Sequence, residues 1–225
     1  MVSIAIDGPS GSGKSSISKR LAEKLKFVSL DTGALYRAIA YFLKINNIDY
    51  KNENLVKEKL ENIKIDLQCL NSTQKVYVNG EDVTDKIRFE DISLISSFVA
   101  AMPCVRDYLL DLQRNIAKKY NVIMDGRDIG TVVLPNATVK IFLTASPEVR
   151  AERRYRELNE KGEKLEYQDV LDSVIKRDFN DANRKISPLK CPKDAVLFDS
   201  SKFTFDQTVD ELLKIIKEKI HAKTK

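Results

Sequence analysis

The chain has 225 residues, 43% hydrophobic and 32% charged, a globular balance rather than a disordered or membrane one. That length suits one α/β domain with an insertion, or two small domains. Its 38 Lys and Arg against 33 Asp and Glu leave a net charge of +5, which by itself asks only for some anionic partner.

No apolar run approaches the roughly 18 residues of a membrane span, and the apolar stretch after Met1 stops at Ile6. A cytoplasmic protein with neither signal peptide nor membrane partner is therefore expected. The three cysteines, Cys69, Cys104 and Cys191, cannot all pair and lack metal-ligand spacing, so they read as free buried thiols.

Residues 2–6 have a short buried-strand pattern, closed by Asp7 and a Gly-rich turn. From 14 to 26 the apolar positions Ile17, Leu21 and Leu25 recur every four residues, which predicts a helix. Residues 27–30 predict a second strand ending at Asp31, and 34–43 a largely buried helix. This order argues for a parallel sheet with crossover helices. The pattern then changes. A polar helix at 52–60 precedes an antiparallel hairpin, 63–69 with 75–78, turning at Asn71, Ser72 and Thr73. Asn79-Gly80 is a second turn signal, and 51–100 reads as an insertion. Parallel units resume with a helix through Val105, Leu109, Leu112 and Ile116, and strands at 122–124 and 139–143. Charged helices follow at 150–161 and 167–184, then a last strand at 195–198 and a closing helix through Val209, Leu212 and Ile216.

Gly8, Pro9, Ser10, Gly11, Ser12, Gly13, Lys14 and Ser15 match the G-x-x-x-x-G-K-[ST] phosphate loop, in its required place between a strand and a helix. Glycines let backbone N–H groups turn inward around an anion, and the helix N-terminus adds the positive end of its dipole. Lys14 can reach the β- and γ-phosphates of ATP, Ser15 and Ser16 open the helix, and the Ser15 hydroxyl can join a Mg²⁺ shell. No guanine-reading Asn/Thr-Lys-x-Asp element and no Leu-Ser-Gly-Gly signature is present, which leaves a small phosphotransferase with a second, acceptor substrate. Asp125 ends a buried strand and is the candidate to orient Mg²⁺ through water. Asp31 is either a second such carboxylate or a cap on the helix after it.

Seven of the twelve arginines lie between positions 127 and 184, and guanidinium forks suit phosphates. Arg177, Asp181 and Arg184 are spaced i, i+4, i+7 and share a helix face. Arg150, Arg153 and Arg154 crowd another face without an acidic residue at i−4. That grouping predicts a helical lid, at about 150–184, closing over the ATP phosphates. Arg153 is assigned to catalysis, Arg150 and Arg154 to binding ATP.

The runs Ile6 to Lys14, Leu30 to Arg37 and Asp125 to Thr131, with Val139 to Leu143 and Arg177, Asp181 and Arg184, resemble the bacterial cytidylate kinase family over nearly the whole chain. The resemblance implies a P-loop NTP hydrolase-like three-layer fold, with core 1–50 and 101–225 and an acceptor-binding subdomain at 51–100. It implies transfer of the γ-phosphoryl of ATP to CMP or dCMP with Mg²⁺. It puts Thr32, Arg37, Arg127, Arg177 and Arg184 on the acceptor phosphate, where many relatives carry Ser in place of Thr32. It also puts Asp181 on the ribose, and Ser97, Arg106 and Asp128 on the base. Catalysis then falls to Lys14, Arg127, Arg177 and Arg184. Cytosine chemistry agrees: Asp128 can accept from N4, and Arg106 can donate to N3 and O2, where uracil reverses two of the polarities. Another small kinase acceptor, UMP or a non-nucleotide metabolite, is the nearest rival. A nucleic-acid-binding module is the rival of another class, and it lacks aromatics interleaved with the basic residues. A monomer is expected.

Overall fold

In a computed structural model of the chain, residues 1–70, 73–160, 162 and 165–224 are described. Among the described residues eight strands and eight α-helices follow one another, beginning with β1 (Ser3–Asp7), α1 (Lys14–Leu25), β2 (Val28–Asp31) and α2 (Thr32–Ile45). The middle of the chain supplies α3 (Glu53–Leu60), β3 (Ile65–Leu70), β4 (Thr73–Val78), β5 (Glu81–Asp82), α4 (Glu90–Val99) and α5 (Pro103–Lys119). The last third supplies β6 (Val122–Gly126), β7 (Val139–Thr144), α6 (Pro147–Glu160), α7 (Tyr167–Asn183), β8 (Val196–Asp199) and α8 (Phe205–Thr224). Among the described residues no single helix is long and apolar enough to cross a membrane.

The central sheet has the order β2-β6-β1-β7-β8, and every neighbouring pair is parallel. Its inner strands β1, β6 and β7 are short apolar runs buried on both faces, as crossover helices require, whereas the edge strand β8 leaves Leu197 exposed. Alternation along β1 sends Ile4 and Ile6 to one face, under Ile17 and Leu21 of α1 and Val209, Leu212 and Ile216 of α8. It sends Ala5 to the other, with Leu30, Met124 and the α5 side chains Leu110 and Ile116. These are the three layers of an α/β fold with a parallel core. The register aligns Ile6 with Asp125, Asp31 with Asp125, and Asp7 with Gly126. Three strands thus present carboxylates at their C-terminal ends, the edge where open α/β sheets bind ligands.

The stretch 51–100 builds a small antiparallel sheet, β3-β4-β5, and the helices around it. Asn79 and Gly80 both have positive φ, 51° and 87°, which suits the tight turn between β4 and β5. Asn71 and Ser72 of the expected hairpin turn lie outside the described residues. Val56, Ile65, Val76, Ile87 and Ile95 share one apolar cluster with Ile39 and Leu43 of α2 and with Val105 and Leu109 of α5. Some elements escape the periodicity reading, among them α4, whose apolar row Ile92, Ile95 and Val99 is interleaved with serines, a 3-10 turn at Lys86–Arg88, and a single π turn at Ile129–Val133 after β6. Cys104 and Cys191 are free but half-buried rather than buried.

Candidate active site

The phosphate loop owes its path to contacts that only glycine permits. A Cβ on Gly8 (φ 152°) would lie 2.0 Å from the Leu143 carbonyl oxygen. One on Gly11 (φ 74°) would lie 3.0 Å from the Arg150 carbonyl oxygen. Gly8, Pro9 and Ser12 are buried and shape the loop, with the Ser12 hydroxyl donating to the Pro9 carbonyl at 3.1 Å. Ser10, Gly11, Gly13, Lys14, Ser15 and Ser16 line a cleft of about 350 Å³. Lys14 Nζ donates to the Pro9 carbonyl at 2.6 Å and to Ser12 Oγ at 3.3 Å. Burial, reinforced by Arg127, holds the Lys14 ammonium well below its usual range.

Asp125 sits at the floor. The Ser15 hydroxyl donates to its Oδ2 at 2.7 Å, while its buried Oδ1 has no partner. Burial, and next to it the Asp31 charge, push the Asp125 carboxyl up to about 7. Thr32 donates from Oγ1 to the Asp125 carbonyl at 2.8 Å. Asp31 acts as the cap on α2, accepting from Ala34 N–H at 3.2 Å, and its Oδ2 pairs with Arg37 at 2.6 Å. Asp7, next to the loop, is buried with its oxygens on the N–H groups of Ile129 and Gly130 at 2.8 and 2.7 Å. Burial outweighs those bonds and pushes its carboxyl up to about 6.

The same cleft collects the acceptor-side residues. Thr32, Arg37, Ser97, Arg106, Arg127, Asp128, Arg177, Asp181 and Arg184 all line it. Arg127 Nε donates to Asp181 Oδ2 at 2.8 Å. Burial opposes the charge on Asp181, but Arg127 and Arg177 prevail and hold its carboxyl below the usual range. The Arg177 guanidinium is lowered to about 10, first by burial and then by Arg127, and its buried Nε has no partner. Arg106 and Asp128 form a buried ion pair, and Arg106 also donates to Ser187 Oγ at 3.1 Å and the Ala100 carbonyl at 3.0 Å. Arg184 approaches the other Asp128 oxygen at 3.5 Å.

The α6 arginines do not act as one face. Arg154 lines the cleft, bonding Glu157 at 2.9 Å and reaching across to Glu90 on α4. Arg150 is buried behind the loop, donating to the Ala145 carbonyl at 2.8 Å and the Ser10 carbonyl at 3.0 Å, and pairing with Asp178 at 2.6 Å. Arg153 turns to the far side, where Ser200 takes both its terminal nitrogens at 3.3 and 3.1 Å. The expectation of three arginines converging on phosphates is thus corrected: residues three and four apart share a face, but long side chains leave it in different directions. Partners absent at i−4 are supplied by Glu157 at i+3 and by other elements. Arg156 has the Glu152 partner at i−4 that its spacing suggests, at 2.7 Å.

Several cleft residues have no assigned role in the sequence reading. Tyr36, Arg88, Ser93 and Ser96 line the wall, and Arg106 stacks over the Tyr36 ring at 5.7 Å. The signal for the serines is readable: Ser93, Ser96 and Ser97, at i, i+3 and i+4, form a small polar face on an otherwise apolar α4.

A glycine phosphate loop at the C-terminal edge of a parallel sheet, facing an arginine-lined second subsite, defines a P-loop phosphotransferase. The family model for cytidylate kinase matches residues 4–218, and the chain belongs to that family. It is 47% identical over 219 residues to a cytidylate kinase of Clostridium tetani, covering 97% of this chain and 95% of that one. It is 49% identical over 216 residues to that of Carboxydothermus hydrogenoformans, covering 96% and 97%. A crystal structure of an uncharacterized protein from Eubacterium ventriosum shares the fold at TM-score 0.51, with 15% identity and coverage of 96% and 99%.

Proposed function

We infer that the chain transfers the γ-phosphoryl group of ATP to CMP or dCMP, giving ADP and CDP or dCDP. The observation that carries this reading is one cleft shared by the phosphate loop, the Arg37, Arg127, Arg177 and Arg184 guanidinium groups, and the buried Arg106–Asp128 pair. The loop N–H groups and Lys14 hold the β- and γ-phosphates. Lys14 exchanges the Pro9 carbonyl for phosphate oxygen. Arg37, Arg127 and Arg184, with the Thr32 hydroxyl, hold the acceptor phosphate. Its ionised oxygen attacks the γ-phosphorus in line, the bond to the ADP oxygen breaks, and no general base is needed. Arg127 and Arg177 face the transferring group and offset the charge spread over it. Asp181 holds the ribose.

Cytosine is read by opposites. Asp128 accepts from N4, Arg106 donates to N3 and O2, and Ser97 adds a hydroxyl. The pair already satisfies itself, so the base exchanges protein hydrogen bonds for its own, and a base of reversed polarity leaves buried charge mispaired. Arg154 is the lid arginine on ATP, with Arg150 setting the loop from behind.

Ser15 and Asp125, the latter through water, would hold Mg²⁺. The unpartnered buried Asp125 oxygen and the hard oxygen donors fit that ion, and among the described residues no cluster of three His, Cys, Asp or Glu suggests another metal. When bound, the ion neutralises charge on the β- and γ-phosphates. The reading is of a cytoplasmic monomer that takes small nucleotides as its partners. The test is ADP release across a panel of monophosphates and shikimate. CMP and dCMP should exceed AMP and UMP in kcat/KM by at least about a hundredfold. Equal turnover of CMP and AMP, or preference for another acceptor, would refute the reading.

A further inference from the structure

β2 is the outermost strand of the central sheet, paired only with β6, so its other edge offers backbone groups to whatever lies beside it. At Asp31 the partner is a single side chain. Gln74 of β4 accepts from Asp31 N–H through Oε1 at 2.8 Å, and donates from Nε2 to the Asp31 carbonyl at 3.2 Å. One amide thus makes the two hydrogen bonds that a neighbouring strand would make. It is the small sheet of the insertion that supplies it.

Asp31 is a junction. Its carboxylate caps α2 and pairs with Arg37 at 2.6 Å, and its Cα is in register with Asp125. Both side chains crowd Gly33, where a Cβ would lie 3.0 Å from Asp31 Oδ1 and 3.1 Å from Arg37 Nη1. A shift of the Asp31 backbone therefore moves Arg37. Arg37 lines the cleft, and its Nε is buried with no partner, a donor held ready for an anion.

We propose that Gln74 is a positioning residue for the acceptor phosphate, clamping the Asp31 backbone so that Arg37 presents its guanidinium to the monophosphate. The proposal rests on the reading of Arg37 as an acceptor-phosphate ligand. It joins the insertion to the reaction through a residue outside the cleft, and makes the seating of the small sheet a determinant of acceptor affinity.

Steady-state kinetics test it. Gln74→Met keeps the length of the side chain and removes both hydrogen bonds. It should raise KM for CMP about tenfold and leave KM for ATP within about twofold, because two modest hydrogen bonds are lost on the acceptor side alone. In an Arg37→Met background, which itself raises KM for CMP, Gln74→Met should add nothing further. The inference is overturned if Gln74→Met leaves KM for CMP unchanged while Arg37→Met raises it. It is also overturned if Gln74→Met costs the same in both backgrounds, or raises both KM values equally. An Arg37→Met enzyme with unchanged KM for CMP removes the ligand reading itself, a separate failure. Gln74→Ala, with melting followed by circular dichroism, supplies the same kinetic split should the Met variant not fold.

Discussion

Asp7 carries a burden unrelated to phosphate. Its carboxylate is buried against the π turn, where it accepts from Ile129 and Gly130, and it faces Asp128, Lys14 and the Lys140 stem around Gly130. Burial raises it to about 6 from 3.8, so the folded state binds its proton more tightly than the unfolded chain does. This contribution to stability is fully present below pH about 4, falls as pH rises to about 6, and is then constant. Asp7→Asn should gain relative to the parent over that window, by at most about 3 kcal/mol, and the difference should be flat above it. Urea titrations from pH 4 to 8 measure this, and parallel profiles would contradict it. Asp128 predicts a specificity change instead. Asp128→Asn supplies an N–H₂ for uracil O4, so the UMP-to-CMP ratio of kcat/KM should rise by about tenfold or more. At this scale the phosphate-loop motif made Lys14 legible as a cleft residue, and the family resemblance did the same for Arg106 and Asp128. The hydrogen bonds of Asp7 were not, because its partners are backbone groups 122 and 123 residues away.

Helix α6 shows what spacing does and does not encode. The i, i+3, i+4 pattern correctly puts Arg150, Arg153 and Arg154 on neighbouring rows, but says nothing of where a long side chain finds a partner. Arg150 reaches the phosphate loop and α7, Arg153 reaches Ser200, and Arg154 alone reaches the cleft. Arg153→Lys should therefore keep kcat within about twofold and cost about 1 kcal/mol of stability, whereas Arg154→Met should lower kcat/KM for ATP at least about tenfold. A large kcat loss at Arg153 would return it to the catalytic set. The Arg154–Glu90 ion pair ties α6 to α4. Glu90→Gln should speed hydrogen exchange in the first turn of α4 and in α6 of the ligand-free enzyme. Unchanged exchange would show that this bridge contributes nothing to how α6 is held. Helices with one apolar stripe, such as α1, were legible in advance. α4 was not, since its apolar row Ile92, Ile95 and Val99 is interleaved with serines that face the cleft instead of solvent.

For the whole molecule, the parallel order was visible in short apolar strands alternating with helices, and the insertion in a change of period from crossover units to a hairpin. What no pattern could supply was the sheet order, since β2 and β6 meet across the entire insertion. The net charge of +5 is likewise resolved by the fold. Many of the arginines ring one cleft of about 350 Å³. Sedimentation should give a mass of 25.6 kDa with and without nucleotides, and a larger species would place a second copy in the assembly.

The central position of β1 has a consequence for how the chain is made. Its two neighbours are β6, beginning at Val122, and β7, beginning at Val139. Ile17 and Leu21 of α1 can cover Ile4 and Ile6 early, but both hydrogen-bonding edges of β1 wait for strands that lie far along the chain. Pairings of such long sequence separation fold slowly. Until then β1 carries two unpaired edges, backbone suited to transient protection by a chaperone.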